Sequence, residues 1–225
     1  MTENTVEIKK VVYGGLGLAH HEEKTLFIPY TLPGDRVAFT IDQRKKKCLF
    51  GTATRIIEPS PLRIEPDCPV FGVCGGCHML QARYEDELDI KKQTVLENLE
   101  RIGRIKTEIT QYIPSPERFG YRNHSQFRVD ANGRPGFTRR ESSEVVPFPD
   151  EGCLLLSENI RTAIAGLPPG SLPPGGEIRV REDRDGAVHF WGLTDRAGPP
   201  DLLIDAGGFT FPVRPASFFQ VNSLL

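Results

Sequence analysis

The 225-residue sequence predicts a mainly β chain with some helix (α+β): a small, OB-like barrel of five short strands followed by an antiparallel-sheet region. Short β-rich runs broken by Gly and Pro turns fill residues 5–60, the habit of a small closed barrel. From residue 107 onward, alternating runs flank the tight-turn dipeptides Asn132-Gly133 and Asp185-Gly186. Between the two regions lies one clear helical pattern.

In the first region Val6, Ile8 and Lys10–Val12 begin one strand, and Gly14-Gly15-Leu16-Gly17 turns the chain. Strands at 25–28, 37–41 and 51–57 follow, with a turn at Pro33-Gly34-Asp35. The glycine run is not a dinucleotide fingerprint, because that loop must open a helix and this one leads into another strand. Arg44-Lys45-Lys46-Lys47 falls between two strands. Most such runs are solvated hairpin tips, yet four cations on one loop also suit phosphate contact by a small barrel.

Residues 84–102 form the helix, with Tyr84, Leu88, Val95, Leu99 and Ile102 as its packing stripe and Glu85, Asp86 and Glu87 in its first turn. Gly103 suits the C′ position, and Glu87–Lys91 and Glu97–Arg101 are spaced to pair. A strand over 121–130 then places Tyr121, Asn123, Ser125, Phe127 and Val129 on one face and Arg122, His124, Gln126 and Arg128 on the other; 134–140 is its hairpin partner. A short helix at 157–167 (Ile160 and Ile164 inward) ends at Gly166 and Pro168-Pro169, and a surface loop runs to 176. The second hairpin, 177–181 with 187–193, offers Ile178, Val180, Val188 and Phe190 to the core. After a strand at 209–213, Asn222 or Ser223 reads as the N-cap of a helix whose first apolar residues are Leu224 and Leu225, so the chain is expected to be the front part of a longer protein.

The net charge is −2, which gives no basic field over the whole chain. The first 63 residues differ, with ten Lys/Arg against seven Asp/Glu. No apolar run is long enough for a signal-peptide core or a bilayer span, so the expectation is a cytoplasmic protein without membrane contact. Five cysteines without a secretory signal then point to metal rather than disulfide.

Three of them, Cys68, Cys74 and Cys77, give C-x5-C-x2-C on a loop too glycine-rich for helix or regular strand. Zinc sites usually use paired two-ligand knuckles, whereas three thiolates on one loop plus a distant fourth is commoner for iron–sulfur clusters. Spacing therefore favours iron–sulfur over zinc. Cys153 is the better fourth ligand, since Cys48 follows the basic run on a strand of the other region. His78, next to Cys77, could also ligate, although a lone histidine beside such a site is more often an outer partner or bystander.

On these residues the chain resembles the RNA uracil-5-methyltransferases, the TrmA-like group that makes 5-methyluridine in ribosomal or transfer RNA, in the subgroup with a TRAM domain and a 4Fe–4S cluster. The likeness rests on the barrel, the ten residues from Cys68 to Cys77, Tyr121-Arg122-Asn123, Gly136-Phe137, Cys153-Leu154-Leu155 and Phe218-Phe219-Gln220-Val221-Asn222. It implies a TRAM barrel at 1–62, a central α+β domain at 63–214 and, at 215–225, the start of a catalytic domain whose Rossmann-like sheet is missing. It also implies that Cys68, Cys74, Cys77 and Cys153 hold the cluster, Gln220 touches S-adenosylmethionine, and Phe218 sits near a flipped uridine. RNA is the implied partner, ribosomal before transfer, gripped by Arg44, Lys45, Lys46 and Lys47 and by Arg122 and Arg128; the protein would be a monomer.

In the family a cysteine thiolate adds to C6 of uracil, C5 takes the methyl group, and a base removes the C5 proton. No cysteine here is assigned that role, so the chain alone is expected to be inactive. The cluster would be structural, tying the loop at 68–77 to the sheet near 153. Two rival readings remain: a stand-alone, non-catalytic RNA-binding iron–sulfur module, and a radical methylthiotransferase-like protein, although those use C-x3-C-x2-C.

Overall fold

The computed structural model describes residues 4–168, 170–192 and 198–225. Met1, Pro169 and Leu193, each used in the sequence reading, lie outside the described residues. Contacts divide the chain into two compact units, Met1–Asp67 with Cys77–Tyr112, and Cys68–Gly76 with Ile113–Leu225. No helix among the described residues is long and apolar enough to cross a membrane.

The first unit is a curled six-stranded sheet: β1 (Thr5–Glu7), β2 (Lys10–Val12), β3 (Leu16–His21), β4 (Lys24–Pro29), β5 (Arg36–Arg44) and β6 (Cys48–Glu58), in the order β1-β5-β6-β4-β3-β2. The expected count of five is corrected to six, because residues 5–12 are two strands and Leu16–His21 is a strand as well. Ile8 N–H donates to Asp35 O on the β5 side and Lys9 N–H to Leu18 O on β3 (both 2.8 Å), so the segment changes partner at 8–9 and serves both edges of the sheet. β3 occupies part of the expected glycine turn. The turn is confined to Tyr13, Gly14 and Gly15, and Gly17 is a strand residue whose added Cβ would stand 1.9 Å from Thr31 Oγ1. β4 pairs in parallel with β6, the other ladders being antiparallel. Ile8, Ala19, Leu26, Ile28, Val37, Phe39 and Leu49 form the core.

Helix α1 (Tyr84–Arg101) belongs to this unit, although the sequence reading grouped it with the central region. Its packing face also differs from the expected stripe. Val95 and Ile102 are exposed, whereas Ile90 packs against Val11, Leu32 and Ala82, and Thr94 reaches the Val11 carbonyl. Glu87–Lys91 forms as expected at 2.6 Å, but Glu97 pairs with Lys10 of β2 rather than Arg101. The left-handed residue after the helix is Arg104 (φ 54°), not Gly103.

Asp35 ties the unit's turns together. Its side chain is 0% exposed and accepts from the N–H groups of Leu32 (2.6 Å) and Ser60 (2.9 Å), from Arg63 Nε (3.0 Å) and from Arg63 Nη2. A buried carboxylate is tolerated only when its lone pairs are met in this way.

In the second unit β7 (His124–Val129), β8 (Pro135–Thr138), β9 (Val145–Pro147), β10 (Glu177–Glu182) and β11 (Val188–Gly192) make an antiparallel sheet in the order β11-β10-β7-β8-β9. Ser125, Phe127 and Val129 point inward as expected, joining Ile178 and Val180 against Ile160 of α2 (Glu158–Ala165). Ser157 caps that helix by accepting from the Ile160 N–H. The expected strand residues 121–123 are not ladder: Arg122 bridges Leu156 and Asn222 instead, and Asn123 N–H donates to Val221 O at 3.1 Å. β12 (Leu202–Ala206) and β13 (Phe209–Val213) form a separate hairpin. A turn covers residues 223–224, and Asn222 Oδ1 accepts from the Leu224 N–H at 3.0 Å, the bond expected of an N-cap at Asn222.

Asp35→Ala is expected to lower the unfolding free energy by about 3–5 kcal/mol, because it strands Arg63 and two backbone N–H donors. Arg36→Ala, which removes the exposed pair with Glu58 (2.8 Å), should cost less than about 1 kcal/mol; urea denaturation measures both.

Candidate thiol centre and nucleic-acid interface

The cysteine loop docks on β8 through its backbone. Cys74 N–H closes a turn on Val70 O (2.9 Å), and Gly75 N–H donates to Thr138 O (2.9 Å). A Cβ at Gly75 would lie 2.8 Å from that same carbonyl, so the approach needs glycine. Gly76 N–H is directed at Cys74 Sγ (3.4 Å). Burial pushes the Cys74 thiol up, opposed by that N–H and reinforced by neighbouring Cys68. Burial also raises Cys153, with the Leu155 N–H and Arg122 opposing it and Cys74 adding to it.

Cys68, Cys74 and Cys153 are thus electrostatic neighbours within one unit, and Cys153 lies against its core. Cys77 begins the second stretch of the first unit. No disulfide joins any of the five cysteines. Backbone N–H groups of Gly76 and Leu155 favour the thiolate form at Cys74 and Cys153, as they would for metal-ligating thiolates. The geometry does not present a finished cage, since among the described residues no group of three or more His, Cys, Asp or Glu is placed to hold a metal ion. Cys48 is half-buried on β6, and His78 packs its Cβ against the turn at Gly15.

The outer face of the five-stranded sheet is basic. Register sets Arg181 beside His124, Arg179 beside Gln126 and Glu177 beside Arg128. A cleft of about 450 Å³ opens here, lined by Arg122, His124, Gln126, Arg179, Arg181 and Trp191 among others, with Phe218 at its edge. Phe218 is 82% exposed. Arg181 donates to the carbonyls of Arg214 (3.3 Å) and Ser217 (3.1 Å), which fixes the turn that presents Phe218. The Nε–H groups of Arg122 and Arg181 are buried and find no acceptor among the described residues. A second cleft, of about 460 Å³, continues from Arg122 and Gln126 past Arg128 to Arg139 and Arg140.

The structure therefore brings Arg122, Arg128 and Phe218 to one surface, but not as equals. Arg128 is tied to Glu177, while Arg179 and Arg181, which the sequence reading passed over, line the cleft. Their signal was the alternation Glu177-Ile178-Arg179-Val180-Arg181, which sends both arginines opposite the core residues. Gln220 is exposed, and one exposed amide does not make a methyl-donor site. In the first unit the basic run is a hairpin tip, with Lys45 N–H donating to Cys48 O (2.9 Å). Arg44 is committed to Glu22 (2.6 Å), which holds the Glu22 carboxyl below its usual range.

Comparison with known proteins gives this architecture a class. Residues 5–62 match the family described as tRNA (uracil(54)-C(5))-methyltransferase, TRAM domain, and the chain is a relative of the RNA uracil-C5-methyltransferases. Among individual relatives, an "uncharacterized RNA methyltransferase" of Aquifex aeolicus is 38% identical over 158 residues, 70% of this chain and 36% of that protein. The 23S rRNA (uracil(1939)-C(5))-methyltransferase RlmD of Alkalilimnicola ehrlichii is 31% identical over 131 residues, 58% of this chain and 29% of that one. The fold is similar to that of the Pyrococcus abyssi tRNA (uracil-54, C5)-methyltransferase crystallised with S-adenosyl-L-homocysteine (TM-score 0.66, 20% identity, 97% of this chain and 62% of that one). The chain spans between 27% and 48% of the length of the curated relatives reported for it.

Burial, Arg181 and Arg122 lower the His124 pKa from 6.5 to about 4. The unfolded chain therefore takes up this proton first, and the stability of the second unit should fall as pH drops from about 6.5 towards 4. His124→Gln should flatten that part of the stability–pH curve, read by thermal melts across the range.

Proposed function

We propose that this chain is the RNA-gripping part of an RNA uracil-C5-methyltransferase, which transfers a methyl group from S-adenosylmethionine to C5 of uridine in RNA, ribosomal RNA before transfer RNA. The arginine-lined cleft on the outer sheet face carries the reading. The half-buried guanidinium groups of Arg122 and Arg179, which line the cleft, suit phosphate and base-edge acceptors, and the exposed ring of Phe218 suits a base taken out of its stack. The RNA methyltransferase names of the relatives and the TRAM match support RNA as the partner. Arg122 and Arg179 contact RNA on the second unit, with buried Arg181 holding the turn that presents Phe218, and Lys45, Lys46 and Lys47 contact it on the first. Arg44 and Arg128 serve chiefly as ion-pair partners. Gln220 is the residue offered towards the methyl donor, and the nucleophile comes from none of the five cysteines. The protein works as a cytoplasmic monomer.

Cys68, Cys74, Cys77 and Cys153 take up a 4Fe–4S cluster in this reading. When bound, the cluster supplies cross-linking rather than electron transfer, since the methylation is a two-electron process. The chain's own part is to hold the loop at 68–76 on β8 and to direct backbone N–H groups at sulfur.

Binding of single-stranded RNA, followed by anisotropy, should weaken steeply with salt, and Arg179→Ala should lower the slope of log K against log salt by about 0.7. A slope near zero counts against the reading. After anaerobic purification, Cys153→Ser should lose iron and sulfide and melt earlier, while Cys48→Ser keeps both; full iron in Cys153→Ser removes the cluster assignment. Methyl transfer from labelled S-adenosylmethionine to uridine in rRNA and tRNA transcripts tests the reaction on a protein of the relatives' full length.

A further inference from the structure

On the curled sheet of the first unit, alternation leaves a row of apolar side chains on the wrong face. Leu26, Ile28 and Leu49 are in the core, so their neighbours Phe27 and Phe50 point outward. Register aligns them across three strands: Leu18 opposite Phe27, and Phe27 opposite Phe50. The two rings lie 5.4 Å apart between centroids, tilted by 32°. Both are half-buried rather than covered, an arrangement that needs a reason on a small β domain whose outer positions are otherwise largely polar.

Charge supplies that reason. The basic hairpin tip joins β5 to β6, the strand that carries Phe50, and Lys45 Nζ stands 4.8 Å from the Phe50 ring centroid. Arg44 is already neutralised by Glu22, while Lys46 and Lys47 are exposed. Two neighbouring aromatic rings with cations beside them form the working surface of single-strand nucleic-acid binders: bases stack on the rings and phosphates meet the ammonium groups. We propose that Phe27 and Phe50, flanked by Leu18, are a base-stacking platform for single-stranded RNA, with Lys46 and Lys47 as its phosphate contacts. Lys45 occupies the ring face until a base displaces it. The proposal rests on the reading of the first unit as an RNA-binding domain, and adds to it a contact made through bases rather than backbone charge.

The test uses the whole chain and two probes, a short oligouridylate and an abasic oligomer of equal length and charge. The intact chain should bind the oligouridylate more tightly, both complexes weakening with salt. The double variant Phe27→Leu/Phe50→Leu keeps apolar volume but loses the rings. It should lose about tenfold or more in oligouridylate affinity, bind the two probes alike and keep its salt slope. Lys46→Ala/Lys47→Ala should instead weaken both probes together and lower the slope by about 1.4. An undiminished preference for bases in the double leucine variant overturns the platform while leaving the domain an RNA binder, and turns this face over to a protein partner. Absence of any salt-dependent binding by the intact chain overturns the RNA reading of the domain, and the platform with it. Should the double variant melt early, Phe50→Trp gives the same decision: oligouridylate quenching of emission above the Trp191 background supports stacking, and unchanged emission at saturation rejects it.

Discussion

A β-strand sends successive side chains to opposite faces, and each unit of this protein is organised by that constraint. In the curled sheet, Leu26, Ile28 and Leu49 fill the interior, so Phe27 and Phe50 must face outward. In the five-stranded sheet, Phe127, Val129, Ile178 and Val180 close on α2, which commits Gln126, Arg128 and Arg179 to the other side. A one-residue slip in either sheet would exchange core for surface. Core packing and the composition of the outer faces are therefore set by the same register.

Charge on those faces is not what a count of basic residues implies. Arg44, Arg128 and Arg139 are each held by a carboxylate, from Glu22, Glu177 and Glu144 respectively. Such exposed pairs add little stability, and they leave fewer uncommitted cations on those faces. Arg181 is different: it is buried, donates to two backbone carbonyls and holds the turn before Phe218. The same guanidinium helps keep His124 neutral. One arginine thus shapes the cleft and tunes its neighbour.

The thiol loop shows how backbone placement conditions side-chain chemistry. Gly75 brings the loop onto Thr138, and Gly76 then turns an N–H towards Cys74. Burial alone keeps thiols protonated, whereas N–H donors favour thiolate, the form that binds metal. The two influences oppose one another at both Cys74 and Cys153.

Local pattern was enough for much of this. The second sheet's hairpins, the capped helix α2, the inward set Ser125, Phe127 and Val129, the tip at Lys45 to Lys47 and the kinship were all readable along the chain. What escaped depended on partners distant in sequence. The break between β1 and β2 exists because residue 8 bonds to one edge and residue 9 to the other. Gly17 looked like part of a turn because its close contact with Thr31 is invisible locally. The helix face chosen by periodicity lost to Ile90 and Thr94, which had β2 to meet. The sequence by itself determined which side chains alternate and which residue types can turn, since both follow from dihedral geometry over a few residues. Only the tertiary structure decided which strands pair, which arginines are neutralised and which thiols become neighbours, because those depend on the distances that folding closes.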